Sequence, residues 1–124
     1  MSDLSSNLLS EWVVQLTPDT LLSTLKNQTT LVLLCDCTEP SSVWFCRMLN
    51  IIAGLSNYEK LPVKVALYDA SVNPILLKHY TDRLPTLLLS LGGFPIIYTG
   101  MFRVGDIHIW LKAQLYTSCC PITP

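Results

Sequence analysis

Three features of this chain predict an α/β domain with a mixed central sheet, a C-terminal antiparallel hairpin and helices on both faces. The run "TLVLLCD" (30–36) is apolar almost throughout, as expected of a strand covered on both sides. Before residue 80, short β-branched or apolar segments alternate with longer segments of helical spacing, the signature of parallel strands joined by crossovers. After it, "TLLLSL" (86–91), a Gly92-Gly93 turn and "FPIIYTG" (94–100) read as a hairpin. A length of 124 residues fits one domain that buries a core of its own.

The elements follow in order. "WVVQL" (12–16) is short and apolar, a strand. "TPDTLLSTLKNQ" (17–28) reads as a helix, with Thr17 as N-cap, Pro18 at the first helical position, Asp19 in the first turn, and Leu21, Leu22 and Leu25 on one face. The strand 30–36 comes next. From about Ser41 to Leu55, a stripe of Trp44, Met48, Ile51, Ile52 and Leu55 predicts a second helix, which Phe45 and Leu49 broaden. "VKVALYD" (63–69) is a strand and "NPILLKHY" (73–80) a short helix. After the hairpin, "GDIHIWLKAQLY" (105–116) closes the core as an amphipathic helix using Ile107, Ile109, Trp110, Leu111 and Leu115. The whole chain, 1–124, is read as one domain with its core at about 12–116 and a flexible tail at 117–124.

A net charge of −1 and the lack of any basic block argue against a nucleic-acid or anionic-membrane partner. The apolar runs at 31–34 and 86–89 are too short to cross a bilayer. The opening residues, acidic and Ser-rich, do not read as a secretory signal, so the expected setting is cytoplasmic with reduced thiols. Half the residues are hydrophobic and only 14% are charged. Either the excess fills a sheet buried on both faces, or it is exposed for a partner or a second copy of the chain.

The order of elements, with "LPTLLL" before the Gly-Gly turn, resembles the thioredoxin family over about residues 12–116. "LVLLCDCTEPSSVWFCRMLNIIA" (31–53) aligns without a gap on that family's central strand, active-site turn and following helix. The resemblance implies a thioredoxin-like three-layer sandwich and a cis peptide at Leu84–Pro85. It also places the family's dithiol motif on Thr38-Glu39-Pro40-Ser41-Ser42, so Glu39 stands at the attacking cysteine and Ser42 at the resolving one. The family's buried acid falls on Leu33. Thiol–disulfide exchange needs an attacking thiolate and a neighbouring thiol, and a carboxylate with a hydroxyl supplies neither.

The remaining cysteines are read from their spacing. Cys35 and Cys37, two apart on a strand end, have Cα atoms roughly 6.6 Å apart and side chains on the same side. An extended strand holds them too far apart to pair unless the backbone folds back at Asp36. Failing that, Cys35 is a small core residue and Cys37 a neighbour of the turn. Cys46 lies past the helix start and reads as core. Cys119 and Cys120 are adjacent tail thiols. With no Cys-x-x-Cys, no metal site is expected, and no cofactor either. His79 and His108 read as helix-face residues, Asp69 as a cap at a strand end, and Glu39 as an acid in a first helical turn.

The resulting expectation is a redox-inactive protein-binding module, of adaptor, assembly-factor or chaperone type, with no catalytic residues of its own. The resemblance places its partner groove at Thr38, Glu39, Pro40, Ser41, Leu84, Pro85, Thr99, Gly100 and Met101, where a protein or extended peptide pairs as an added strand. One alternative is an unconventional thiol–disulfide oxidoreductase with Cys35 and Cys37 as catalytic residues. Another is a glutathione-binding domain using Ser41 or Ser42, with Arg83 as the only evident basic group. A homodimer through the apolar helix 41–55 is compatible with each.

Overall fold

Alternation along the central strand sets the layers. In β2 (Thr29–Cys35), Leu31, Leu33 and Cys35 point into one cluster of buried side chains, and Val32 and Leu34 into another on the opposite face. The computed structural model describes residues 9–81 and 83–119, without the side chains of Pro74, Leu76, His79 and residues 117–119. Around β2 the sheet runs β1-β3-β2-β4-β5. β1 (Val13–Leu16), β2 and β3 (Lys64–Asp69) are parallel, while β4 (Thr86–Leu91) pairs antiparallel with β2 and with β5 (Pro95–Ile97). The predicted mixed sheet with its terminal hairpin is therefore present.

α1 (Pro18–Asn27) covers one face with Leu21 and Leu25, against Val32, Leu34, Ala66 and Tyr68. Its start is held by the Thr20 hydroxyl, which accepts the Thr17 N–H at 2.9 Å. Leu22, expected on the buried side, is exposed. The opposite face is covered by α2 (Ser42–Tyr58) and α3 (Val104–Cys119). At the C-terminal end of α2, Glu59 accepts from Lys112 of α3 at 3.2 Å and lies 3.1 Å from His108 Nε2 of the same helix.

α2 is longer than predicted and turned differently. Its buried residues are Ser42, Cys46, Met48, Leu49, Ile52, Ala53 and Ser56, whereas Trp44 and Ile51 are each 53% exposed. The helix is apolar nearly all round, so its periodicity does not select a face and packing on the sheet does. Ile109 of α3, also expected inside, is exposed, and Ile107, Leu111 and Leu115 form the buried stripe. Predicted helix 73–80 is a 3-10 turn, Pro74–His79, started by the Asn73 side chain accepting from Ile75 N–H at 3.2 Å.

The predicted second hairpin strand, 94–100, shrinks to three residues. Pro95 has no N–H to donate, and past Ile97 the chain turns away after one bond from Tyr98 N–H to Leu87 C=O at 2.9 Å. Gly92 and Gly93 turn the corner with φ of 62° and 100°, which a side chain would resist. α3 continues through Cys119, into the stretch expected to be tail, while 120–124, including Cys120, lie outside the described residues. Leu84–Pro85 is cis.

Candidate functional site

The carboxyl ends of β2 and β3 meet at Cys35 and Asp69, which are register partners, and Ala70 N–H donates to Cys35 C=O at 2.8 Å. Beyond Cys35 the chain does not stay extended. Asp36 Oδ1 accepts from the Thr38 N–H at 2.9 Å and from its hydroxyl at 2.5 Å. Such an Asx turn offers the backbone an alternative to the sheet ladder. Two further turns follow, with Glu39 N–H on Asp36 C=O and Ser42 N–H on Glu39 C=O, both at 3.0 Å. Asp69 clamps this segment from β3: its Oδ1 accepts from Cys37 N–H at 3.1 Å as well as from Ser71 N–H and hydroxyl at 3.0 and 2.7 Å. The predicted cap thus also fixes the turn.

This fold-back is the condition the sequence left open at Asp36, and it replaces the extended geometry otherwise expected for Cys35 and Cys37. Their Sγ atoms lie 3.9 Å apart. Cys46, one turn into α2 on the inward face, also hydrogen-bonds with the Cys35 thiol. The Cys37 thiol, then the Cys46 thiol, then burial push the Cys35 thiol far up, so the reduced pair holds Cys35 as a thiol. No disulfide joins Cys35, Cys37 and Cys46. Sequence reasoning missed this three-thiol cluster. The one signal available was Asp36, a turn former placed between two cysteines.

Glu39 and Ser42 occupy the mouth of the turn, and Glu39 is not the first-turn acid expected. Glu39 precedes the Ser41 N-cap and lies outside the helix, whose first turn holds no acid. Ser42 is buried, its hydroxyl donating to Cys37 C=O at 3.4 Å. Both line a groove of about 120 Å³ with Cys35, Asp36, Ser41, Phe45, Leu84 and Pro85. So the structure gathers Glu39, Ser41, Leu84, Pro85 and the alternative residue Cys35. Thr38, Pro40 and Cys37 belong to the same turn but do not line the groove.

Thr99, Gly100 and Met101 are exposed in the loop after β5 and do not line it either. They are tied to it at one remove. Phe102 packs edge-on against Phe45 with ring centroids 5.5 Å apart, and the Tyr98 hydroxyl donates to Met101 C=O. Arg83 is exposed and is not a lining residue; its carbonyl accepts from the hydroxyls of Thr81 and Thr86. Leu33 is fully buried. Larger clefts lie elsewhere, about 340 Å³ around Thr17, Tyr68 and Val72 and about 220 Å³ around Trp12, Asn57 and Lys60. Neither gathers titratable groups around a reactive atom. Among the described residues, no group of three or more His, Cys, Asp or Glu is arranged to hold a metal ion.

Sheet order, helix placement and the turn between β2 and α2 define a thioredoxin-like fold. Among solved structures, the chain is similar to the J-Trx1 fragment of ERdj5, with a TM-score of 0.72 and 9% identity over 83% of this chain and 51% of that one. It is similar also to human ERp44, with a TM-score of 0.71 and 19% identity over 82% of this chain and 32% of that one. The zinc-bound form of human ERp44 matches with a TM-score of 0.70 and 18% identity over 82% and 31%. The chain therefore spans about half of the first fragment and about a third of the ERp44 chain. Identities this low establish the fold alone. No family model and no curated protein matches the sequence.

Proposed function

We propose that this chain is a protein-binding module, of adaptor, assembly-factor or chaperone type, which takes an extended peptide in the groove between the 36–42 turn and Leu84. One observation carries the reading. Leu84 is 42% exposed at the groove, and among the described residues neither its N–H nor its C=O makes a hydrogen bond. An extended peptide laid alongside pairs with both groups, as in strand addition. The exposed carboxylate of Glu39 at the same groove favours a basic residue in that peptide. With Glu39 in the turn before the helix and Ser42 at its first residue, the groove offers a bound disulfide no attacking thiolate there. A reducing, cytoplasmic setting belongs to the same proposal. Among the described residues no helix is long and apolar enough to cross a membrane. The glutathione-binding alternative loses support because Arg83 does not line the groove.

The test is selection of displayed linear peptides against the full chain, followed by fluorescence anisotropy. Selected peptides should carry Lys or Arg, and Glu39→Lys or Leu84→Asp should raise their Kd by about tenfold or more, while Lys112→Ala leaves it unchanged; tenfold is about 1.4 kcal/mol. Peptides indifferent to both groove variants would overturn the reading.

A further inference from the structure

We propose that Cys35 and Cys37 form a reversible dithiol that exchanges with a low-molecular-weight disulfide and closes a bond of its own beside the groove. This goes beyond the peptide-binding reading and does not depend on it. The argument begins with distance. The Sγ atoms are 3.9 Å apart, so closure to an S–S bond of about 2.05 Å needs a movement of only about 2 Å. That approach is built into the backbone. Asp69 holds Cys37 N–H at 3.1 Å, Ser42 donates to Cys37 C=O at 3.4 Å, and Asp36 holds Thr38 N–H at 2.9 Å.

The two thiols differ in access, which assigns their roles. Cys37 is half-buried, and Cys35 is 3% exposed, at the floor of the groove. Cys37 is the entering thiol and Cys35 the resolving one. In the first step the Cys37 thiol gives its proton to solvent, and its thiolate attacks one sulfur of glutathione disulfide. The small disulfide's S–S bond breaks, a Cys37–glutathione mixed disulfide forms, and one glutathione thiolate leaves. In the second step Cys35 loses its proton and attacks the Cys37 sulfur, expelling the second glutathione thiolate. Both leaving thiolates take up a proton. Two protein thiols are oxidised and one small disulfide is reduced to two thiols. Cys46, 1% exposed, stays a thiol in the core.

The experiment incubates the purified full chain in glutathione buffers of graded oxidation, then quenches with an alkylating agent and cleaves with chymotrypsin. Cleavage after Trp44 or Phe45 separates Cys35 and Cys37 from Cys46. The expected result is a peptide ending at Trp44 or Phe45 that loses both alkylation sites together and two hydrogens in mass, while Cys46 remains alkylated after unfolding. In Cys35→Ser, glutathione should remain trapped on Cys37. Since Cys35 is buried, Cys37→Ser serves as the second variant, folded by circular dichroism and leaving Cys35 without glutathione. Three outcomes would overturn the proposal: a stable mixed disulfide in the wild type, pairing of Cys35 with Cys46, or both thiols unchanged at the most oxidising ratio. Peptide affinity is measured separately, so failure of one proposal leaves the other standing or falling by its own readout.

Discussion

Asp69 and Asp36 each shape the site through one carboxylate oxygen, the first from another strand and the second within its own turn. Asp69 joins Cys37 to β3 across 32 residues of sequence, and no local pattern announces that contact. Asp36 acts locally and leaves a pH signature. The Thr38 hydroxyl first, then the Thr38 N–H, hold its carboxyl below the usual carboxylate range. A pKa depressed by folding adds stability above the ordinary carboxylate pKa, and that stability is lost as pH falls through the folded value. The urea midpoint of the wild type should therefore fall more steeply on acidification than that of Asp36→Asn. The difference should be small because solvent screens the group. A midpoint curve identical in the two proteins would show that Thr38 contributes nothing through this carboxylate. At this scale the sequence made Asp36, Cys35 and Cys37 visible as neighbours. It did not show the sulfurs meeting, because that depends on a carboxylate delivered by another strand.

The helices show where periodicity succeeds and where it stops. α1 and α3 are recognisable from caps and stripes, although Leu22 and Ile109 face solvent. α2 is different, because residues from Val43 to Leu55 are apolar on several sides and any of several faces satisfies the pattern. The observed face puts Cys46 and Leu49 inside and Trp44 and Ile51 outside. Leu49→Ala should cost about 2–5 kcal/mol, and Ile51→Ala only about 0.5 kcal/mol, in urea unfolding. Equal costs would restore the stripe through Ile51 that spacing alone suggests. The same rotation brings the Cys46 thiol to Cys35, so the thiol cluster is a consequence of helix packing as well as of the turn.

Across the molecule, one sheet separates two buried clusters, α1 on one side and α2 with α3 on the other. β2 contributes to both, so the clusters should unfold together. Leu21→Ala and Leu49→Ala, on opposite faces, should each lower a single transition, and their costs should add within about 0.5 kcal/mol in the double variant. Two separate transitions would mean the faces are independent. Sequence by itself determined the fold class, the strand order along the chain, the Gly92-Gly93 turn, and the presence of Glu39 and Ser42 where the resemblance places two cysteines. The first three follow from alternation, caps and turn residues, which are local properties of the chain, and the last from the resemblance alone. Only the tertiary structure decided which face α2 buries, that β5 is limited to Pro95–Ile97, and that Cys35, Cys37 and Cys46 share one site. Each of these rests on contacts between residues far apart in sequence. Such contacts are chosen by packing and by carboxylate hydrogen bonds, once the strands are already side by side.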